Sequence, residues 1–225
     1  MTAVNLFFVE GRAIVATDTA ISRAGVAEPI GHTSKAIAFP HSRLIVAGCG
    51  PRQFVSLWQS TLLVGGPDSL DVDELDALAP SELRRIWAKF VGADCGARIF
   101  HVGVDRQERI KAFVYSSRGD FESQRIEQGA PLLCPGLEED RTPTPEPTRE
   151  QAPSTESRAS VAASDLPAAF VWSWRDGVRT VIDAMPRQRS QSPPGFIGGR
   201  LHVSELTPEK VSQFWLGEIQ DPRIG

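Results

Sequence analysis

The feature that most limits the fold of this 225-residue chain is a long stretch without aromatic residues in its second half. No Phe, Trp or Tyr occurs from residue 122 to residue 169, and prolines there alternate with Thr, Glu, Ser and Arg. Such a mixture cannot bury enough apolar surface to offset the entropy of ordering the chain. We therefore predict a flexible, disordered Pro-rich insert at 138–165 within a single domain that spans 1–225.

Composition argues against several functional classes. The chain has 24 Lys and Arg against 28 Asp and Glu, so it has no basic surplus that would bind a nucleic acid. No apolar run approaches the ~20 residues that span a bilayer, and the first residues lack the layout of a secretion signal. We expect a cytoplasmic protein that binds neither nucleic acid nor membrane.

The cysteines and histidines predict no metal site and no disulfide framework. Cys49, Cys95 and Cys134 are odd in number, form no CxxC pair and have no histidine at ligand spacing. We interpret them as buried thiols. The four histidines are scattered, so no histidine-based catalyst is expected, and no cofactor is implied.

The first half of the chain predicts two hairpins followed by helices. Apolar, β-rich runs at 3–9 and 12–17 flank a Glu-Gly turn, and a second pair lies at 35–39 and 44–47. Helical spacing follows from residue 54 to 65, and Asp71 with Glu74 resembles a capping box ahead of a further helical face.

Strands return at 97–104, 109–115 and 121–126, and the chain after the insert predicts a helix near 167–184. A final hairpin is expected at 201–206 and 211–216. Because strands and helices are segregated rather than alternating, the sequence favours an α+β layered fold.

The most specific chemical signal is the second residue. Thr2 follows an initiator methionine that is normally removed before a small residue, so Thr2 could become the mature N-terminus. A terminal threonine combines a hydroxyl nucleophile with an α-amine whose reference pKa of ~8 suits a base near neutral pH. Such a site also needs a cation, a carboxylate to hold it and backbone N–H groups for an oxyanion.

The sequence offers one candidate for each of these roles. Asp18 follows the first hairpin, Lys35 opens the second, and Gly48 lies where a strand should turn into a helix. Each has an ordinary alternative: Asp18 as a turn residue, Lys35 as a solvated surface lysine, and Gly48 as a strand end.

Thr2, the Glu10-Gly11 turn, residues 13–18, Ser34-Lys35 and residues 44–48 together resemble the proteasome β-type N-terminal-nucleophile (Ntn) hydrolases, including bacterial proteasome-like threonine peptidases. The resemblance is closest over residues 1–60. It implies a four-layer αββα sandwich of two antiparallel sheets. It also implies that Thr2 is the nucleophile, Asp18 and Lys35 the adjacent charged pair, and Gly48 the oxyanion donor.

Two departures bear on activity. A Gly-Ser-Gly-like turn is usual in the family, but the matching region reads Leu132 to Gly136 and has no serine. Pro193-Pro194-Gly195 likewise stands where active relatives carry an Asp and a Ser. A catalytically inactive scaffold or assembly subunit is therefore the alternative reading.

The resemblance implies a threonine-type hydrolase of peptide or amide bonds that assembles as a homo-oligomer, in rings or a helical stack. The substrate is expected to be a peptide or protein, and a small-molecule amide is a further alternative. Any ATPase partner, the subunit number and the purpose of the insert are not encoded in these patterns.

Overall fold

A computed structural model describes residues 2–21, 28–65, 70–90, 96–136, 173–192 and 196–219. The predicted insert at 138–165 and Cys95 lie outside the described residues. In chain order the elements are β1 (Val4–Val9), β2 (Arg12–Thr17), β3 (Ala20–Ile21), β4 (Gly31–His32), β5 (Ala36–Phe39), β6 (Leu44–Cys49), α1 (Arg52–Gly65), α2 (Val72–Trp87), β7 (Arg98–Val104), β8 (Ile110–Ser116), β9 (Ser123–Ile126), β10 (Leu132–Cys134), α3 (Trp174–Gln191), β11 (Arg200–Leu206) and β12 (Val211–Glu218).

Ten of the twelve strands form two five-stranded antiparallel sheets, and β3 and β4 form a separate two-stranded sheet. The first sheet has the order β10-β1-β2-β11-β12, and the second has the order β5-β6-β7-β8-β9. Both predicted N-terminal hairpins are present, one in each sheet, with β1 paired to β2 and β5 paired to β6. The sequence patterns therefore predicted the first hairpin along the chain in each of the two sheets.

Three apolar clusters show how the layers stack. Leu6 and Phe8 of β1 pack with Ile45 and Phe100 in a cluster between the sheets. On its other face, Phe7 belongs to a cluster with α3. Because β1 contributes to both clusters, it is a near-continuous apolar run rather than an alternating one.

Helices α1 and α2 cover the outer face of the second sheet, where Trp58, Leu83 and Ile86 are buried against β6 and β7. The predicted capping box is present at the start of α2. Asp71 accepts the N–H of Glu74, and the Glu74 carboxylate accepts the N–H of Asp71 at 3.1 Å. The described layers therefore follow the order α, β, β, α, in an α+β arrangement.

Helix α3 covers the outer face of the first sheet and crosses β1 at Gly177. A Cβ atom at Gly177 would lie 2.2 Å from the Phe7 ring, so only glycine permits this approach. The helix begins at Trp174 and ends at Gln191, past the predicted end at 184 and beyond an internal proline, Pro186. Residues 167–172 lie outside the described part of the chain.

Three short strands, β3, β4 and β10, were not predicted from the sequence. The strand β10 matters most, because it pairs with β1 at Val4 and carries Cys134. In the described part of the chain, no helix is both long and apolar enough to cross a bilayer.

A buried carboxylate at the turn between β7 and β8 yields a stability prediction. Asp105 is fully buried and accepts the N–H groups of Gln107 and Arg109, and it contacts the Lys111 ammonium at 3.1 Å. Burial alone would raise the pKa of Asp105, but the hydrogen bonds from Arg109, Lys111 and Gln107 outweigh it and lower this pKa.

We expect Asp105→Asn to lower the free energy of unfolding by ~2–4 kcal/mol at pH 7, measured by urea denaturation. Because the folded-state pKa is depressed, the carboxylate's contribution is complete above the unfolded-state pKa of ~3.9 and is lost as the pH falls toward the folded-state value. The difference between variant and wild type should therefore shrink at pH 3. The exposed Asp120→Asn is the control and should change stability by less than ~0.5 kcal/mol; an equal loss in both variants would contradict the assignment.

Candidate functional site

The charged pair is assembled where the two hairpins meet. Thr2 precedes β1, and Asp18 follows β2, which brings the chain back beside the N-terminus. The Ala3 N–H donates to the Asp18 carboxylate at 2.9 Å, and the Asp18 N–H donates to the Ala3 carbonyl. Lys35 lies just before β5 in the facing sheet. The structure therefore brings the carboxylate, the lysine and the segment carrying Thr2 together.

Asp18 and Lys35 form a buried ion pair. The Lys35 ammonium donates to both carboxylate oxygens of Asp18 at 2.8 Å, and the two residues are 8% and 0% exposed, respectively. The Gly198 N–H gives Asp18 a further bond at 3.2 Å. With two N–H donors and the ammonium, both carboxylate oxygens are satisfied, as a buried carboxylate requires.

Burial acts on both partners of this pair. It raises the pKa of Asp18 and lowers the pKa of Lys35, because each charged form loses contact with water. The attraction between the two charges acts against burial: the ammonium lowers the pKa of Asp18, and the carboxylate raises the pKa of Lys35. A lysine held in this way is an ammonium of reduced proton affinity beside the N-terminal segment.

A cavity of about 730 Å³ opens over this pair, and both Thr2 and Lys35 line it. That volume is within the range of small-molecule and peptide-binding clefts. Thr2 is 9% exposed and therefore reaches the cavity from a largely enclosed position. The cavity is also lined by Gly48, Cys49 and Cys134.

Gly48 also lines the cavity, but its backbone N–H already donates a hydrogen bond within the protein. Its N–H donates to the Lys35 carbonyl at 3.2 Å as part of the pairing of β6 with β5. A Cβ atom here would lie 2.9 Å from both Ile99 and Val55, so packing alone requires a glycine. Gly48 can therefore act as an oxyanion donor only by sharing this N–H with the Lys35 carbonyl.

Helix α1 offers a second source of N–H groups at the same place. It begins at Arg52 directly after Gly50 and Pro51, and all three residues line the cavity. The first N–H groups of a helix have no partner within the helix and carry its positive dipole end. This end of α1 is therefore suited to stabilise negative charge in the cavity.

The cavity lining is strongly cationic. Lys35, Arg52, Arg98 and Arg118 contribute to it, whereas no Asp or Glu occurs among the described lining residues. Asp18, which neutralises Lys35, lies beneath the cavity wall. Arg52, Arg98 and Arg118 therefore give the lining a net positive charge, and Arg98 also contacts the Cys134 sulfur.

Sequence reasoning missed the contributions of Gly198 and His202 to the site. Gly198 donates to Asp18, and its carbonyl accepts the N–H groups of Thr19 and Ala20. The His202 ring bonds the hydroxyl of Ser34, which is adjacent to Lys35, at 2.9 Å. The paired glycines at 198–199 were the signal for the first of these, but no local pattern connects His202 with Ser34.

The two departures from the family pattern have different outcomes. The serine-free region at 132–136 forms β10 and presents Cys134 to the cavity. Residues 193–195 lie outside the described residues, and Phe196 lines the cavity after them. Within the described residues, no group of three or more His, Cys, Asp or Glu side chains is arranged to hold a metal ion.

Comparison with solved structures identifies the fold. The chain is similar to an Anbu (Gly-1) mutant from Hyphomicrobium sp. strain MC1, with a TM-score of 0.64 and 11% identity over 96% of this chain and 87% of that one. It is also similar to Anbu, an ancestral beta-subunit, from Yersinia bercovieri, with a TM-score of 0.61 and 16% identity over 96% and 88% of the two chains. No family model and no curated protein matches the sequence. At this identity the likeness establishes a shared fold, which agrees with the proteasome-like sandwich that the sequence resemblance implies.

The buried pair predicts non-additive stability effects. Asp18→Asn or Lys35→Met should each lower the free energy of unfolding by about 3 kcal/mol, because each leaves the other charge buried and unpaired. The double variant should lose clearly less than the sum of the two, as measured by urea denaturation of all four proteins. The exposed Arg179–Asp183 pair is the control and should show coupling below ~0.5 kcal/mol. Additive losses at Asp18 and Lys35 would contradict a mutual interaction.

Proposed function

We propose that the protein is a proteasome-like N-terminal threonine hydrolase that cleaves peptide or amide bonds through Thr2 after Met1 is removed. The observation that carries the proposal is the buried Asp18–Lys35 ion pair beside the N-terminal segment, at the wall of a cavity that Thr2 also lines. A charged pair is costly to bury and gives little net stability, so its presence at the wall of a cavity favours a chemical role.

The first step is attack by the Thr2 hydroxyl. The free α-amine of Thr2 removes the proton from its own Oγ, directly or through a water, and Oγ attacks the carbonyl carbon of the substrate. Lys35 stabilises the developing alkoxide and keeps the nearby amine unprotonated at neutral pH. Asp18 acts as a positioning residue, because its two oxygens fix the ammonium.

The tetrahedral intermediate then collapses. Its oxyanion is stabilised by the Gly48 N–H or by the free N–H groups at the start of α1. The amine returns the proton to the leaving nitrogen as the C–N bond breaks, which leaves an ester on Thr2. Water, deprotonated by the same amine, hydrolyses the ester and regenerates the free threonine.

A non-catalytic scaffold or assembly subunit is the second candidate. Two observations favour it: the 132–136 segment supplies no serine, and the Gly48 N–H is bonded to Lys35. In either case we propose a homo-oligomer, in rings or a helical stack. Exposed apolar side chains on α1 and β12, among them Val64 and Trp215, offer surface for such contacts.

The state of the N-terminus distinguishes the two candidates. Intact-mass analysis should show that Met1 is absent from the purified protein, and a peptide β-lactone should then acylate one hydroxyl per chain. Thr2→Ala should abolish labelling and lower kcat/KM for a fluorogenic peptide by at least ~10³-fold, since it removes the nucleophile. Thr61→Ala, at a threonine on α1, is the control and should behave as wild type. Retained Met1, or equal labelling of wild type and Thr2→Ala, would support the scaffold instead.

The cationic lining predicts a preference for acidic substrates. Peptides with Asp or Glu beside the scissile bond should be cleaved faster than neutral ones, and the advantage should fall as salt is raised. Arg52→Gln should lower kcat/KM for the acidic peptide by about 3-fold and leave the neutral peptide unchanged. Arg179→Gln, at an exposed position on α3, is the matched control. An equal fall in kcat/KM for both peptides would show that Arg52 does not contribute to a preference for acidic substrates.

A further inference from the structure

Two cysteines meet in the cavity although they belong to different sheets. Cys49 is the last residue of β6 and follows Gly48, whereas Cys134 is the last residue of β10. Their sulfur atoms lie 3.8 Å apart, and both side chains line the cavity. A disulfide requires a sulfur separation of ~2.05 Å, so the two sulfur atoms, already in contact, must approach by a further ~1.8 Å to form one.

An arginine beside the two cysteines favours the thiolate form of one of them. Arg98 of β7 is the register partner of Cys49, and its guanidinium donates to the Cys134 sulfur at 3.2 Å. The hydrogen bond from Cys49, aided by the charge and hydrogen bond of Arg98, lowers the pKa of Cys134 to about 6. The same contact with Cys134, together with burial, raises the pKa of Cys49. Because the Arg98 guanidinium contacts the Cys134 sulfur, negative charge is favoured on Cys134 rather than on Cys49.

A buried amide network holds Cys134 in place. Its N–H donates to the Asn5 side chain at 3.3 Å, and Asn5 in turn bonds Gln188 of α3 at 2.9 Å. Gln188 also bonds the Pro135 carbonyl. The thiolate is therefore anchored on three elements, β1, β10 and α3, rather than on a free loop.

We propose that Cys49 and Cys134 are a redox-active dithiol that closes to a disulfide across the two sheets inside the cavity. With hydrogen peroxide as the oxidant, the Cys134 thiolate attacks one peroxide oxygen. The O–O bond breaks, and the leaving hydroxide takes a proton to become water, which leaves Cys134 as a sulfenic acid. The Cys49 sulfur then attacks Cys134, the S–O bond breaks, and the hydroxide leaves as a second water with the Cys49 proton. Overall, two thiols lose two electrons and one peroxide gives two waters.

The bridge would alter the catalytic cavity directly. It would fix the end of β6 next to Gly48, remove the thiolate that Arg98 contacts and place a disulfide in the wall of the cavity that Thr2 also lines. The dithiol itself does not depend on the hydrolase proposal, because its formation is measured on sulfur alone. Any effect on hydrolysis is a second readout.

The full-length Cys95→Ser protein is the proper test, because it leaves Cys49 and Cys134 as its only thiols. Stoichiometric hydrogen peroxide should lower the intact mass by 2 Da, remove both titratable thiols and yield a cross-linked Cys49–Cys134 peptide. The bridge closes a long loop, so the melting temperature should rise by at least ~5 °C, and dithiothreitol should reverse every change. A mass gain of 16 or 32 Da without loss of 2 Da, in protein that is folded by circular dichroism, would overturn the proposal.

Two further variants test the assigned roles. Adding Cys49→Ser should leave Cys134 to oxidise only to the sulfenic or sulfinic level, with no melting-temperature rise. Adding Arg98→Gln should raise the pH midpoint of the oxidation rate and slow oxidation at pH 7 about 10-fold, because the thiolate loses its cation. Arg179→Gln is the control for lost positive charge. An unchanged pH midpoint in the Arg98 variant would show that the guanidinium does not activate Cys134.

Discussion

One buried charge interaction, the ion pair between Asp18 and Lys35, constrains how the segments around the cavity meet. Removing two charges from water costs more than their attraction returns unless every remaining lone pair is satisfied. Here the N–H groups of Ala3 and Gly198 complete the shell of Asp18. Four segments must therefore converge on one carboxylate: the start of β1, the end of β2, the start of β5 and the loop before β11. The convergence joins the two sheets at one end of the sandwich.

This geometry explains why the cavity lies where it does. The same strand ends that bury the ion pair bring Thr2 to the cavity wall and direct the first turn of α1 toward it. Two apolar residues of matching size would hold the sheets together at least as well as a charged pair. Selection for stability alone does not explain Asp18 and Lys35, whereas a nucleophile that needs a nearby ammonium does. The electrostatics and the architecture thus support the same proposal.

Sequence patterns predicted the parts of the fold that local interactions determine. The first hairpin turn and the Asp71–Glu74 capping box depend on neighbours a few residues apart, and both are present. The strand β10 was missed because its three residues pair with β1, more than a hundred residues away in sequence. The end of α3 was missed because the buried residue in its last turn is Gln188, whose polar side chain breaks the apolar pattern while it bonds Asn5. For the site, the sequence predicted which residue types are present and in what order. It did not predict that the Gly48 N–H is hydrogen-bonded to the Lys35 carbonyl, because that contact joins two strands.

Residues 48–50 connect the hydrolytic and redox proposals. Gly48 gives its N–H to Lys35, Cys49 gives its thiol to Cys134, and Gly50 adopts a φ of +123° that starts the chain into α1. A side chain at Gly50 would lie 2.8 Å from Ala97, so this turn has little room to move. A covalent bond at Cys49 would therefore act on a tightly packed segment, directly between the N–H groups of Gly48 and of the first turn of α1. If those groups stabilise an oxyanion, oxidation of two cysteines would change the hydrolytic rate without any contact between the disulfide and the scissile bond.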